Sequence, residues 1–234
     1  MRKTTWLLIA IFALSSLAVS QEKLTIDKIY NPAKRLAFSG QPTFGVRWSK
    51  DGSAFVKSRI NFSGRKLVEV NAQTGVEKVI YDSAEVASGL EGAGMSKADA
   101  NRISRRFIAQ SDASNSYLYT SGKDLFVYNA SSKTAKRLTN NDDSELEADF
   151  SPDGKRVSFV RGNDLCAVDI ASGKEARFTK DGSKNILNGY LAWVYEEELY
   201  GRGRNRGYWW SPDSTSIAFL RTDDSKVPMF IQKL

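Results

Sequence analysis

A chain of 234 residues with 41% hydrophobic content is long enough to bury a sizeable core. Its formal net charge of +7 comes from lysines and arginines scattered along the chain, not gathered on a helix or stripe, so nucleic acid is not expected as a partner. With one cysteine and no histidine the chain lacks the means for an internal disulfide and the usual ligands of a zinc site, and no cofactor is expected.

The first twenty residues read as a leader. Arg2 and Lys3 precede an apolar run over residues 6–14, then Ala18, Val19 and Ser20 stand before Gln21. That run is shorter than the ~20 residues a membrane-spanning helix needs. The expectation is a signal peptide over residues 1–20, cleaved after Ser20, with export to the periplasm or the outside and no stable membrane span afterwards. Gln21 is not a cysteine, so a lipoprotein anchor is unsupported.

Beyond the leader the chain repeats itself at a spacing of forty. Asp124-Leu125-Phe126-Val127-Tyr128 returns as Asp164-Leu165-Cys166-Ala167-Val168, Arg137-Leu138-Thr139 as Arg177-Phe178-Thr179, and Ser111 as Ser151. Trp48-Ser49-Lys50-Asp51-Gly52, Phe150-Ser151-Pro152-Asp153-Gly154 and Trp210-Ser211-Pro212-Asp213 each place a tight turn before an alternating run. Four short hairpin-linked strands in about forty residues make a propeller blade. A sandwich or barrel would not keep a constant spacing.

The expected fold class is therefore all-β: an incomplete β-propeller of about three and a half four-stranded blades. Blades fall near residues 42–82, 104–140 and 144–180, and the opening half of a fourth runs from 207, with a second strand over 227–233. Residues 83–103 read as an inter-blade loop with some helix, and residues 181–206 as a short helical insertion before blade IV. Cys166 lies in the apolar run 165–168, as a buried structural thiol would. Asp142, Asp143, Glu145, Glu147 and Asp149 do not have the spacing of an EF-hand and read as an exposed blade edge, while Gly201-Arg202-Gly203-Arg204 reads as a linker.

The insertion contains Asn188-Gly189-Tyr190-Leu191-Ala192-Trp193-Val194-Tyr195-Glu196-Glu197-Glu198, and Trp209-Trp210-Ser211-Pro212 follows. This resembles the dipeptidyl peptidase IV family, whose propeller carries a Trp-Val-Tyr-Glu-Glu-Glu segment followed shortly by Trp-Trp-Ser-Pro. The resemblance implies that Glu197 and Glu198 bind the free α-ammonium group of a peptide substrate. Two carboxylates can each accept a charge-assisted hydrogen bond from an ammonium ion. Adjacent helical residues sit about 100° apart and can converge on one cation, with Glu196 turned away. Trp209 and Trp210 read as core of blade IV.

Two departures from the family pattern stand out. Ala192 occupies the place of an aspartate suited to capping the helix, though Asn188 offers an earlier cap. The family's substrate-binding arginine, on a hairpin extension of blade II, has no counterpart, because Tyr117-Leu118-Tyr119 turns through Ser121-Gly122 directly to Asp124.

A serine triad needs a nucleophile, a base and a group that orients the base, and neither histidine nor a Gly-x-Ser-x-Gly elbow is present. In the family these follow the propeller. The expectation is thus that residues 21–234 form the N-terminal part of the propeller domain, inactive alone. The implied partners are a C-terminal α/β-hydrolase domain and a peptide with a free N-terminus. Open strand edges would make the isolated chain unstable. A second expectation is a non-catalytic, TolB-like periplasmic propeller that serves as an interaction scaffold; the glutamate insertion separates the two readings.

Overall fold

A computed structural model describes residues 25–31, 33, 45–62 and 64–228, so the expected leader and nearly all of the strand expected over 227–233 lie outside the described residues. The chain divides into two units, Met1–Phe44 and Gly45–Leu234. In the first, a short helix α1 (Ile26–Tyr30) starts where the Thr25 hydroxyl oxygen accepts from the Lys28 N–H at 3.3 Å.

The second unit holds three complete four-stranded antiparallel sheets, each ordered as it runs in sequence. Blade I comprises β1 (Arg47–Trp48), β2 (Ala54–Asn61), β3 (Gly64–Asn71) and β4 (Glu77–Asp82). Two helices follow, α2 (Ser83–Gly92) and α3 (Lys97–Ile103). Blade II is β5 (Ala109–Ser111), β6 (Ser116–Ser121), β7 (Asp124–Asn129) and β8 (Thr134–Arg137); blade III is β9 (Leu146–Phe150), β10 (Arg156–Arg161), β11 (Asp164–Asp169) and β12 (Glu175–Arg177). Among the described residues no helix is long and apolar enough to cross a membrane.

The repeated turn is held by its own side chains. In blade I the Ser49 hydroxyl donates to Asp51 Oδ1 at 2.6 Å and accepts from the Ala54 N–H at 3.0 Å; in blade III Ser151 does the same with Asp153 at 2.6 Å and the Arg156 N–H at 3.0 Å. Hydrogen bonds from Ser49 and Ser53 hold the Asp51 carboxyl down to about 2.

The period of forty has a second physical basis, a clasp on the fourth strand. Asp164 Oδ1 accepts from the Thr179 hydroxyl at 2.7 Å and the Gly182 N–H at 2.9 Å, its other oxygen binds Arg177, and Thr179 Oγ1 accepts from the Leu165 N–H at 3.0 Å. Blade II keeps most of this: Asp124 binds Arg137 and accepts from the Asn141 N–H at 3.2 Å, and the Leu125 N–H donates to Thr139 Oγ1 at 2.8 Å, but the Thr139 hydroxyl donates to Glu145 at 3.1 Å and not to Asp124. In blade I Gly64 opens the third strand where blades II and III have an aspartate, and no such clasp is seen among the described residues.

Two large cores lie between successive blades. The first joins Leu67 and Tyr81 of blade I to Tyr117, Tyr119 and Phe126 of blade II through Val86, Leu90 and Ile103 of the helices, so the helix expected within 83–103 is present and contributes to the core. The second packs Leu118 and Val127 against Phe150, Phe159 and Cys166. Cys166 is buried as expected, and burial pushes its thiol up to about 11.

The fourth blade begins at Ile186, earlier than the expected 207. Strands β13 (Ile186–Asn188) and β14 (Tyr208–Trp210) pair with β16 (Arg221–Asp223) and β15 (Ile217–Phe219), respectively. Only Leu220 separates β15 from β16, and it bonds to both halves, donating to Gly207 O at 2.8 Å and accepting from the Gly189 N–H at 2.9 Å. The helical insertion therefore interrupts the first strand of an opening hairpin, which completes the three and a half blades expected.

Candidate substrate-binding site on the blade IV insertion

The insertion leaves the sheet at Gly189 and returns at Gly207. There the Gly207 N–H donates to Gly189 O at 2.9 Å and the Leu191 N–H to Asn205 O at 2.8 Å, and Tyr190 bridges to Arg206. A Cβ on Gly207 would stand 3.1 Å from Leu191 Cδ2 and 3.3 Å from the Gly189 carbonyl carbon, so glycine lets the two arms approach this closely.

Beyond the buried Leu191, the carbonyl of Ala192 accepts from Tyr195 at 3.0 Å and Glu196 at 3.1 Å. The chain then forms a π-helical turn, Tyr195–Tyr200, and stops at Gly201, φ +85°. Such turns are rare and concentrate at functional sites. No side chain caps the start, as the alanine at 192 would lead one to expect. The cap foreseen at Asn188 is not made either. Asn188 is buried in β13, where its amide donates to Asp181 Oδ1 at 2.9 Å and Asp164 Oδ1 at 3.2 Å.

Glu197 is ion-paired with Arg202 on the return arm, so the stretch expected to be a linker bonds back to the glutamates. Glu196, expected to face away, accepts from the Gly203 N–H. Glu198 is exposed and has neither an ion pair nor a hydrogen bond among the described residues. The structure thus brings Glu196 and Glu197 to the return arm and leaves Glu198 open beside them.

Two clefts adjoin the insertion. One, of about 280 Å³, is lined by Glu147, Tyr200, Gly203, Arg204, Arg206 and Trp209. The other, of about 360 Å³, includes Ile108, Thr120, Leu146, Asp149 and again Glu147 and Arg206. A third cleft of about 560 Å³, more apolar, has Trp193, Val194 and Val227 in its walls.

Three residues of this region were misjudged in the sequence. Trp209, taken for core, is 42% exposed and walls the smaller cleft, whereas Trp210 is tied to blade III by its indole N–H, 2.8 Å from Ser158 Oγ. Glu145 is no edge residue but buried and bonded to Arg161 at 2.7 Å. Glu147 is half-buried; desolvation pushes its carboxyl up, against the pull of Asn205 and Arg206. The repeat held a signal for it, since forty residues earlier stands Phe107, which packs on the first core. Burial, then the charges of Glu147 and Glu196, push up the Tyr190 hydroxyl.

Four-stranded antiparallel blades in sequence order define the chain as part of a β-propeller. The chain belongs to the dipeptidyl peptidase IV family: the family model described as the dipeptidyl peptidase IV (DPP IV) N-terminal region matches residues 103–233. It is 32% identical over 132 residues to a probable dipeptidyl-aminopeptidase B of Chaetomium globosum, covering 56% of this chain and 14% of that one. A second such protein, from Talaromyces marneffei, is 45% identical over 83 residues, 36% of this chain and 9% of the relative. The chain therefore spans a small fraction of the curated relatives it matches. The crystal structure of Porphyromonas gingivalis dipeptidyl peptidase 4 superposes with a TM-score of 0.59 at 22% identity, over 91% of this chain and 30% of that one, a likeness of fold.

Proposed function

We propose that this chain is the substrate-orienting propeller portion of an exported dipeptidyl peptidase IV-like serine exopeptidase, and that Glu197 and Glu198 bind the α-ammonium group of an unblocked peptide. In the complete protein the propeller would work with a C-terminal α/β-hydrolase domain and govern which peptide end reaches the serine. The release of N-terminal dipeptides is the reaction implied, and export rests on the leader-like residues 1–20.

The observation that carries this reading is the state of the two carboxylates. Glu197 already holds a cationic side chain from the return arm, and Glu198, next in the turn, is open to a second cation. A charge pair at about 4 Å is worth roughly 4 kcal/mol at an effective dielectric near 20, before desolvation, so an acetylated or internal peptide is refused.

Calorimetric titration of the chain with alanylalanine amide and with its N-acetylated form tests this. The unblocked amide binds and the acetylated one does not, and Glu198→Gln and Glu197→Gln each weaken binding about tenfold, the worth of one charge-assisted hydrogen bond. Equal binding of the two amides would remove the assignment.

A further inference from the structure

Strand β9 carries a bulge. Asp149 pairs with Ser158 and Leu146 with Val160, so Glu147 and Ala148 together face the single residue Phe159. Glu147 adopts φ +53°, the left-handed conformation that a bulge of this type ordinarily reserves for glycine. A glutamate kept there gives up stability, and residues held in that region against their preference concentrate at ligand sites.

The neighbours of Glu147 fix it without neutralising it. The buried Tyr208 hydroxyl donates to Glu147 O and, at 3.1 Å, to Ser158 O, tying the bulge to the strand that re-enters blade IV after the insertion. The charge of Arg206 and the side chain of Asn205, both on the return arm, draw its proton affinity down against desolvation. Arg206, the adjacent cation, is ion-paired with Asp149. The carboxylate thus has no ion pair among the described residues, and it lines both clefts beside the insertion. In the smaller cleft it is joined by the aromatic rings of Tyr200 and Trp209, whose faces also attract cations, and by Arg204.

The geometry points to Glu147 as a further binding residue of this site, a carboxylate contributed by blade III that helps to hold the cationic end of a short unblocked peptide. This inference rests on the reading of the insertion given above. The bulge supplies the aim: a regular strand would alternate Glu147 away from its present face, and the extra residue redirects it. Desolvation of the carboxyl, which raises its proton affinity, means that a bound ammonium group would pull it back down.

The test uses the chain with alanylalanine amide, its N-acetylated form and two substitutions at one position. Glu147→Gln keeps the shape, removes the charge, and weakens binding of the unblocked amide about tenfold. Glu147→Gly relieves the left-handed backbone, so it raises Tm while weakening binding by a similar factor. Carboxyl NMR adds a readout that a structural role would not move: the Glu147 titration shifts to lower pH when the unblocked amide is bound and not with the acetylated one. Unchanged binding in Glu147→Gln alongside loss in Glu198→Gln would overturn this inference and leave the insertion reading intact. Failure of the unmodified chain to distinguish the two amides would overturn both.

Discussion

Blades II and III differ from blade IV in how they spend their polar residues. In the former, buried acids are used up inside the blade: Asp164 is fully buried and accepts from Thr179, Gly182 and Arg177, and Glu145 is fully buried against Arg161. In blade IV the first strand is broken by residues 189–207, and the acids it exports, Glu197 and Glu198, face a neighbouring arginine or water. The repeat matches Asp164 and Glu145 from within. The interrupted strand leaves Glu198, and the β9 bulge leaves Glu147, without an ion pair among the described residues.

The sharpest way to break this contrast is to remove a clasp. Asp164→Ala strands the Thr179 hydroxyl, the Gly182 N–H and the Asn188 amide, at a cost of about 3 kcal/mol, or about 10 °C in Tm for a unit of this size. The effect depends on pH. Burial pushes the Asp164 carboxyl up, but the bonds from Thr179, Arg177 and Gly182 outweigh it and hold the carboxyl below its ordinary value. A folded-state value below the unfolded one gives stability that is present above about pH 4 and is lost as pH falls through the folded value. Thermal melts of the two proteins should converge on acidification; a gap that widens would mean that the clasp does not need the charged form.

The members of the clasp showed in the sequence only as a period: each sits at a fixed place on consecutive strands of one blade, so Asp, Arg and Thr recur at the same spacing. The propeller could be read for the same reason. The interrupted strand could not be, since what joins Ile186–Asn188 to Tyr208–Trp210 is a shared partner strand further along the chain and not any local signal. Glu147 was lost for a related reason: its role depends on a bulge set by pairing with β10 and on Tyr208 from another blade. The triple glutamate was legible only through the residues around it.

A smaller effect sharpens the contrast at the root of the insertion. Gly189, φ +76°, and Gly173, φ +74°, share a backbone conformation, but a Cβ on Gly189 would meet Leu165 at 3.3 Å and Tyr208 at 3.4 Å, whereas one on Gly173 meets only the end of Lys136 at 3.8 Å. Both alanine variants carry the left-handed penalty of about 1 kcal/mol, and Gly189→Ala adds crowding for a total of about 2 kcal/mol. Denaturant melts that rank them the other way would show that the root of the insertion yields more readily than the blade III turn.

The smallest effect concerns the pair that links the two arms of the insertion. Arg202 is 81% exposed at its side chain, so its attraction to Glu197 is worth little in stability, and Arg202→Ala should leave Tm unchanged. In binding it acts as a tethered competitor for the same carboxylate. Its removal should strengthen binding of alanylalanine amide by less than about fivefold, the ceiling for an exposed ion pair, and the gain should shrink as salt is added. If the variant bound more weakly instead, Arg202 would be holding Glu197 in place for the ligand, and blade IV would resemble blades II and III after all, with an acid that works only when its arginine is present.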